Sequence, residues 1–410
     1  MKPEDDRRKP KSPTRLDSHA ELPTMRLSND DLPMFFDDVH AALAPRLHRV
    51  AGDLALVEAP DAHPSEEARD AAAVAVLGKA GLFELVAPST GKVDSRSLCL
   101  AREMLGYVSP RADSIFAVQG LGVHPLLLAG SEAQRAQVAA FARGAGVAAF
   151  ALTEPEAGSD VASIQTRAAP TADGYRIDGD KLFISNLGIA DHATVVAATE
   201  PELGGTGGLT AFWVPLDTPG VTIKPLQATA PHPIGALELR GVVVPASARI
   251  GDVGQGMKLA MQTLDAFRVS VGAAAVGMAR RAMDEAIRFV TRRIQFGKLL
   301  SEQPLIQAHI ADMAVDLDAA RLLVLRAAHR KDTAGGRVTT EVSIAKLGAT
   351  EAAQRVIDRA VQLFGGRGVM AGHVVEHLYR AIRPLRIYEG TSEIQRTIIG
   401  RALTSTKERK

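Results

Sequence analysis

The hydrophobic period of this 410-residue chain changes twice, near Val147 and near Gly256, and few folds accommodate both changes. From about residue 27 to 146, Ala, Leu and charged residues recur at helical spacing. A helix over 67–79 would carry Ala71, Val74, Ala75 and Gly78 on one side, and further helices are expected over 98–105 and 114–128. Pro110, Pro125 and the Gly144 and Gly146 pair punctuate this part.

From 147 to 255 the pattern is short runs of β-branched and aromatic residues, at 148–152, 166–169, 175–177, 182–185, 194–197, 210–214, 221–225 and 237–244. Turn signals separate them at Asp173-Gly174, Asp178-Gly179, Gly204-Gly205 and Pro219-Gly220. Strands of this length and spacing predict a small antiparallel β-barrel. Beyond Gly256 the helical period returns in three long stripes. The first runs Leu264, Phe267, Val271, Ala274, Met278, Ala282, Ala286, Phe289. The second runs Ile306, Ile310, Met313, Leu317, Ala320, Val324, Ala327, and the third Ala345, Ala349, Ala352, Val356, Ala360, Leu363. Gly335-Gly336 separates the second from the third, and Thr391 opens a fourth helix, so a C-terminal four-helix bundle is expected over 256–405. The fold class is therefore mainly α with a central β domain: a tail over 1–26, an N-terminal helical domain over 27–146, the barrel over 147–255, then the bundle.

Charge narrows the partners. With 48 basic and 47 acidic residues the net charge is +1, so no global field recruits nucleic acid or an anionic membrane. Cys99 is the single cysteine and sits in an apolar-periodic run, which points to a packed thiol and excludes thiolate metal clusters. The histidines lack ligand spacing, and no metal site is expected. The first 25 residues mix basic and acidic side chains with prolines and have no apolar h-region; no run reaches the roughly 18 apolar residues of a membrane span, and a cytoplasmic location is expected.

Chemistry concentrates at 386–396. Glu389 follows Ile387 and Tyr388, precedes Gly390, and is followed by Thr391 and Ser392, which can cap the helix marked by Ile394, Ile398 and Ile399. A helix N-terminus favours a charged carboxylate, whereas burial beside Tyr388 and a flat apolar ligand raises its pKa; a base working near neutrality needs burial to win. A first-turn glutamate that only complements the helix dipole fits the same residues.

The stretch 151–160, Ala-Leu-Thr-Glu-Pro-Glu-Ala-Gly-Ser-Asp, resembles a signature of the acyl-CoA dehydrogenase flavoprotein family. So do Lys181-Leu182-Phe183-Ile184-Ser185-Asn186, Arg293-Ile294-Gln295-Phe296-Gly297, Gln362-Leu363-Phe364-Gly365-Gly366-Arg367-Gly368, and the 387–396 block, all in the family's order. The resemblance implies FAD-dependent α,β-dehydrogenation of an acyl-CoA thioester. Glu389 would take the α-proton, the β-hydrogen would leave as hydride to flavin N5, and the electrons would pass to an electron-transfer flavoprotein. It implies that Leu152, Thr153, Phe183, Ser185, Thr391 and Glu393 meet the flavin cofactor. Arg293, Phe296, Gln362, Gly365 and Gly366 would hold the FAD pyrophosphate and adenosine of a neighbouring subunit in a homotetramer or homodimer. Ser159, Asp265, Arg268, Tyr388 and Gly390 would meet the substrate. Some members carry the base on the helix holding Asp265 and Arg268; here that position is Phe267, which leaves Glu389.

Each assignment has a plainer counterpart. Thr153 and Ser185 can fill strand edges, Gly365-Gly366 can be a helix C-cap, and Asp265 with Arg268 can be a surface i,i+3 pair. The chain also departs from the family pattern. Arg380-Ala381 stands where Arg-Asp is usual, Pro304 follows Gln303 where a cofactor-contacting Gln is common, and 229–235 is unusual. A thioester on an acyl carrier protein, oxygen as electron acceptor, and a flavin-containing nucleic-acid-binding relative are the rival readings.

Overall fold

A computed structural model describes residues 32–405 except 60, 204–206 and 335–337. The N-terminal tail, the Gly204-Gly205 turn and the Gly335-Gly336 break lie outside the described residues.

Five helices come first: α1 (Asp38–Val57), α2 (Glu66–Lys79), α3 (Ser95–Val108), α4 (Pro110–Ala129) and α5 (Glu132–Ala142). Side-chain caps open several of them, with Asp94 accepting from Ser97 N at 2.7 Å and Ser109 from Ala112 N at 3.0 Å. The inward face of α2 centres on Asp70, Ala73 and Leu77; of the expected stripe Val74 and Gly78 border that face, while Ala71 and Ala75 are exposed. In an alanine-rich helix the apolar count barely distinguishes the faces, and Asp70 is drawn inward by its ion pair with Arg111. Pro110 opens α4 at its first turn, whereas Pro125 lies inside the helix without ending it. By length and composition α4 could cross a membrane, yet most of it is buried in the protein core.

The central region is one eight-stranded mixed sheet: β1 (Ala148–Ala151), β2 (Arg167–Pro170), β3 (Gly174–Ser185), β4 (His192–Ala198), β5 (Leu209–Pro215), β6 (Val221–Pro225), β7 (Ile234–Pro245) and β8 (Arg249–Ile250). Hydrogen bonding follows the order β6-β7-β3-β2-β4-β5-β8, with β1 added beside β4. The expected antiparallel barrel is corrected on two points. β1 and β2 both meet β4 in parallel, and among the described residues the end strands β6 and β8 do not pair, so no closed barrel is seen. Parallel pairing of β1 with β4 requires a long intervening connection, which β2 and β3 supply. The two expected strands at 175–177 and 182–185 are one strand. Asp178-Gly179 is a bulge rather than a turn: the register against β7 shifts there, Asp178 accepts from Gly241 N at 2.6 Å, and Thr166 Oγ1 lies 2.4 Å from where a Gly179 Cβ would stand.

The last part holds α6 (Gly256–Val290), α7 (Pro304–Thr333), α8 (Thr339–Phe364), a short α9 (Val374–Ile382) and α10 (Ser392–Thr404). A small hairpin of β9 (Ile294–Gln295) and β10 (Lys298–Leu299) joins α6 to α7. All three apolar stripes face inward, and α9, too short for a periodicity argument, contributes Val375, Leu378 and Ile382 to the same core. Arg380 pairs with Glu376 one turn back on α9 and also donates to Thr229 O, so the missing Asp at 381 leaves it partnered.

Helix α6 is the hub because it touches the first helices as closely as its own bundle. A Cβ on Gly277 would stand 2.0 Å from Glu103 O, and one on Gly106 would stand 2.3 Å from Ala274 O, so α3 and α6 meet backbone to backbone. Gly277→Ala is expected to cost about 3 kcal/mol or more, since neither side of the clash is a movable side-chain end. A shift in urea midpoint measures it, and an unchanged midpoint contradicts this crossing.

His124 on α4 is buried against the same helix, with Nδ1 3.2 Å from Thr263 Oγ1 and its ring edge-on to Phe267. Burial lowers its pKa from 6.5 to about 4. Between those values the unfolded chain binds more protons than the fold, so stability is lost as pH falls from 6.5 toward 4. The loss from this group is at most about 3 kcal/mol, at 1.36 kcal/mol per unit. His124→Gln is expected to remove that part of the acid dependence, read from urea midpoints at pH 7 and pH 4; an identical pH dependence contradicts it.

Candidate active site

A cleft of about 800 Å³ opens where the sheet, α3, α4, α6 and the start of α10 converge. Its walls include Leu152, Thr153, Ser159, Phe183, Ser185, Arg268, Tyr388, Glu389, Gly390 and Thr391, ten of the residues singled out from sequence. From α4 come Ser114, Ala117, Val118 and Leu121, and from α6 Met257, Met261 and Leu264.

The wall from the sheet is pinned by a buried ion pair. Lys181 Nζ lies 2.7 Å from Glu154 Oε1 and 3.2 Å from Leu152 O, and the Glu154 carboxylate also accepts from Gln165 N and Thr166 N. Leu182 N donates to Thr153 O at 3.0 Å. This clasp ties the 151–160 and 181–186 motifs together: one brings a carboxylate, the other its ammonium. Burial lowers Lys181 to about 8, against the pull of Glu154. Beyond the clasp Phe183 projects into the cleft, 63% exposed, from a left-handed backbone at φ 58°.

Glu389 lies between a 3-10 turn at Arg383–Arg386 and α10, whose N-cap Thr391 accepts from Ile394 N at 3.3 Å. Its backbone is also left-handed, at φ 52°. Arg268 Nε donates to its carbonyl at 3.2 Å, and Gln395 Nε2 and Lys346 Nζ donate to Gly390 O at 3.0 and 2.8 Å. Glu389 Oε2 is sealed from solvent and has no hydrogen-bond partner among the described residues. Burial raises its pKa and outweighs the opposing pull of Arg102, Arg268 and Lys346. Arg268 is itself buried and lines the cleft, which removes the surface-pair reading; its partner Asp265 is half-exposed and does not line the cleft.

Among the described residues only Phe183, Asn186, Phe296 and Glu389 combine a side chain with positive φ, and three of these four were candidate site residues. Such backbone persists where surrounding contacts hold it, as the donors to Glu389 and Gly390 do here. Phe267 is fully buried against His124 and carries no function into the cleft.

The remaining candidates lie elsewhere. Glu393 is exposed on the first turn of α10. Arg293, Phe296, Gln362, Gly365 and Gly366 are exposed and line no part of the cleft; Phe296 is 97% exposed. Stacking of Phe289 on Phe364 at 4.4 Å brings the ends of α6 and α8 together, so these five share one end of the bundle. Cβ atoms on Gly365 and Gly366 would meet nothing.

Sequence reasoning passed over Arg102 and Lys346. Arg102, fully buried, forms a two-pronged pair with Asp113 at 2.8 and 2.8 Å, donates to Ser270 Oγ at 3.0 Å, and lines the cleft. Arg102 and Glu103 inside the apolar-periodic 98–105 run were the available signal.

Residues 149–242 match the model of the acyl-CoA dehydrogenase middle domain, and 254–404 that of the C-terminal domain. The chain is 39% identical to the short-chain-specific acyl-CoA dehydrogenase of Megasphaera elsdenii over 76% of its length and 82% of that protein. It is 36% identical to CarC, a subunit of the caffeyl-CoA reductase-Etf complex of Acetobacterium woodii, over 79% of this chain and 87% of the other. Among solved structures, a glutaryl-CoA dehydrogenase from Mycobacterium smegmatis in complex with FADH2 superposes with a TM-score of 0.80 at 27% identity, covering 92% of this chain and 97% of that one. Sequence, fold and cleft agree, and the chain belongs to the acyl-CoA dehydrogenase family of enzymes.

Proposed function

We propose that this enzyme removes the α and β hydrogens of an acyl-CoA thioester, with Glu389 as the base that takes the α-proton. The observation that carries this reading is the Glu389 side chain: half-buried, with Oε2 sealed from solvent and without a hydrogen-bond partner among the described residues, raised in pKa by desolvation, and lining a cleft with Thr153, Phe183 and Ser185.

FAD is the cofactor. The residues fit it: an apolar wall of Leu152 and Phe183 suits a flat ring face, the Thr153 and Ser185 hydroxyls suit a polar ring edge, and the cleft has room for both ring and thioester. When bound, FAD supplies the acceptor for the β-hydrogen and its two electrons. The short-chain relative favours a short acyl chain, and the Etf complex of CarC favours an electron-transferring flavoprotein as the onward acceptor.

The residues of this chain do the rest. Desolvation sharpens Glu389 as a base for a weakly acidic Cα–H. Among the described residues no acceptor takes the Glu389 backbone N–H, which leaves it free for the thioester oxygen as charge develops there; one such donor is worth about 2.7 to 4 kcal/mol. Arg268 fixes the Glu389 carbonyl, so the turn carrying both groups keeps its orientation. Arg293, Phe296, Gln362, Gly365 and Gly366 are read as serving the cofactor of a second copy, because they present a cation, a ring and open backbone away from their own cleft.

Turnover of one short acyl group on CoA and on an acyl carrier protein, each with electron-transferring flavoprotein or with air, tests this reading. The expected result is 2-enoyl-CoA formed with the flavoprotein acceptor and little peroxide. Faster turnover on the carrier protein, or stoichiometric peroxide, reassigns the substrate or the acceptor.

A further inference from the structure

Arg102, Arg268 and Lys346 each act to lower the pKa of Glu389, and they differ in one respect. Arg102 from α3 is matched by Asp113 of α4, and Arg268 from α6 by Asp265 of the same helix. Lys346 from α8 has no ion pair among the described residues. It is fully buried, and its one hydrogen-bond acceptor among them is the Gly390 carbonyl, at 2.8 Å. The nearby carboxylate Glu351 is engaged by Arg386 and Ser392, and Glu393 is solvent-exposed.

We propose that Lys346 is a positioning residue of Glu389, holding the Glu389–Gly390 turn through the Gly390 carbonyl and placing an unpaired buried positive charge one residue from the base. Two observations support the two halves. The turn is a left-handed pair, φ 52° at Glu389 and 92° at Gly390, and Lys346, Gln395 and Arg268 are the side chains that restrain its carbonyls. A buried ammonium without a carboxylate partner is costly unless a nearby anion offsets it, and Glu389 is its foremost electrostatic partner. Burial lowers Lys346 to about 8, so it is charged at neutral pH, when the base must be charged too.

The inference rests on Glu389 being the base, and the experiment separates the two. FAD-loaded wild type, Lys346→Met, Lys346→Gln and Glu389→Gln are mixed anaerobically with butyryl-CoA from pH 5 to 9, and the rate of flavin reduction is followed. Hydrogen exchange of segment 387–392 is measured on the same proteins without substrate. Loss of the neighbouring cation favours the protonated carboxyl, so both neutral lysine variants are expected to raise the midpoint of the pH–rate profile by about one unit. Near and below that midpoint this slows reduction up to about tenfold, and the 387–392 amides exchange faster. Lys346→Gln, a neutral polar side chain one atom shorter, carries the charge test if the methionine variant does not fold. A wild-type midpoint in the folded neutral variants overturns the proposal while leaving the base in place, provided Glu389→Gln is inactive. Rapid flavin reduction by Glu389→Gln overturns both.

Discussion

Glu389→Gln yields a folded, yellow protein whose flavin stays oxidised when an acyl-CoA thioester is added without oxygen. The substitution keeps side-chain volume and removes only the ability to accept a proton. The backbone carbonyls of 389 and 390 keep their bonds from Arg268, Gln395 and Lys346, so the turn and the cofactor wall persist. General-base catalysis contributes about 10² to 10⁴ in rate, and the loss is expected in that range or above. Stopped-flow absorbance is the measurement, with flavin content as the control for folding. Bleaching at the wild-type rate would show that another group takes the proton. In the wild type the raised pKa has a visible consequence: reduction slows as pH falls through a midpoint above the ordinary glutamate value, because protonation removes the base.

Arg293→Ala is expected to weaken FAD retention and self-association together. Its guanidinium stands on the exposed end of the bundle with Phe296 and the open glycines 365 and 366, and none of these reaches the cleft that Glu389 lines. If they serve a neighbouring copy, losing one charge-assisted contact to phosphate costs about 1.5 to 3 kcal/mol, a drop in FAD affinity of roughly 10- to 100-fold. Ultrafiltration of bound flavin and light scattering in dilute solution read both effects. Unchanged flavin and unchanged mass would contradict the shared-site reading; loss of flavin at unchanged mass would confine Arg293 to its own subunit.

What the sequence disclosed followed from how local each signal was. The three bundle stripes were legible because each spans several turns, and every member faces the core wholly or in part. The inward face of helix α2 was read off-centre, with Val74 and Gly78 at its border, because alanines surround it and an ion pair sets its orientation. Asp178-Gly179 looked like a turn because a bulge and a turn use the same residues, and only pairing with β7 distinguishes them. The parallel entry of β1 beside β4 joins residues far apart in the chain and left no local mark. Within the site, motifs located the residues that touch the cleft, whereas the groups that hold those residues in place, Lys346 beneath the turn and Arg102 with Asp113, come from helices whose patterns only promised packing. The left-handed backbone at Phe183 and Glu389 was equally invisible, since neither residue type favours it.

One anaerobic titration tests the central claim most directly: the purified flavoprotein is mixed stepwise with butyryl-CoA and its visible spectrum recorded. The expected result is loss of the oxidised-flavin band, with 2-enoyl-CoA identified by mass spectrometry. A spectrum that stays oxidised through excess butyryl-CoA and through a panel of longer and branched acyl-CoA thioesters would contradict the assignment of this cleft to thioester dehydrogenation.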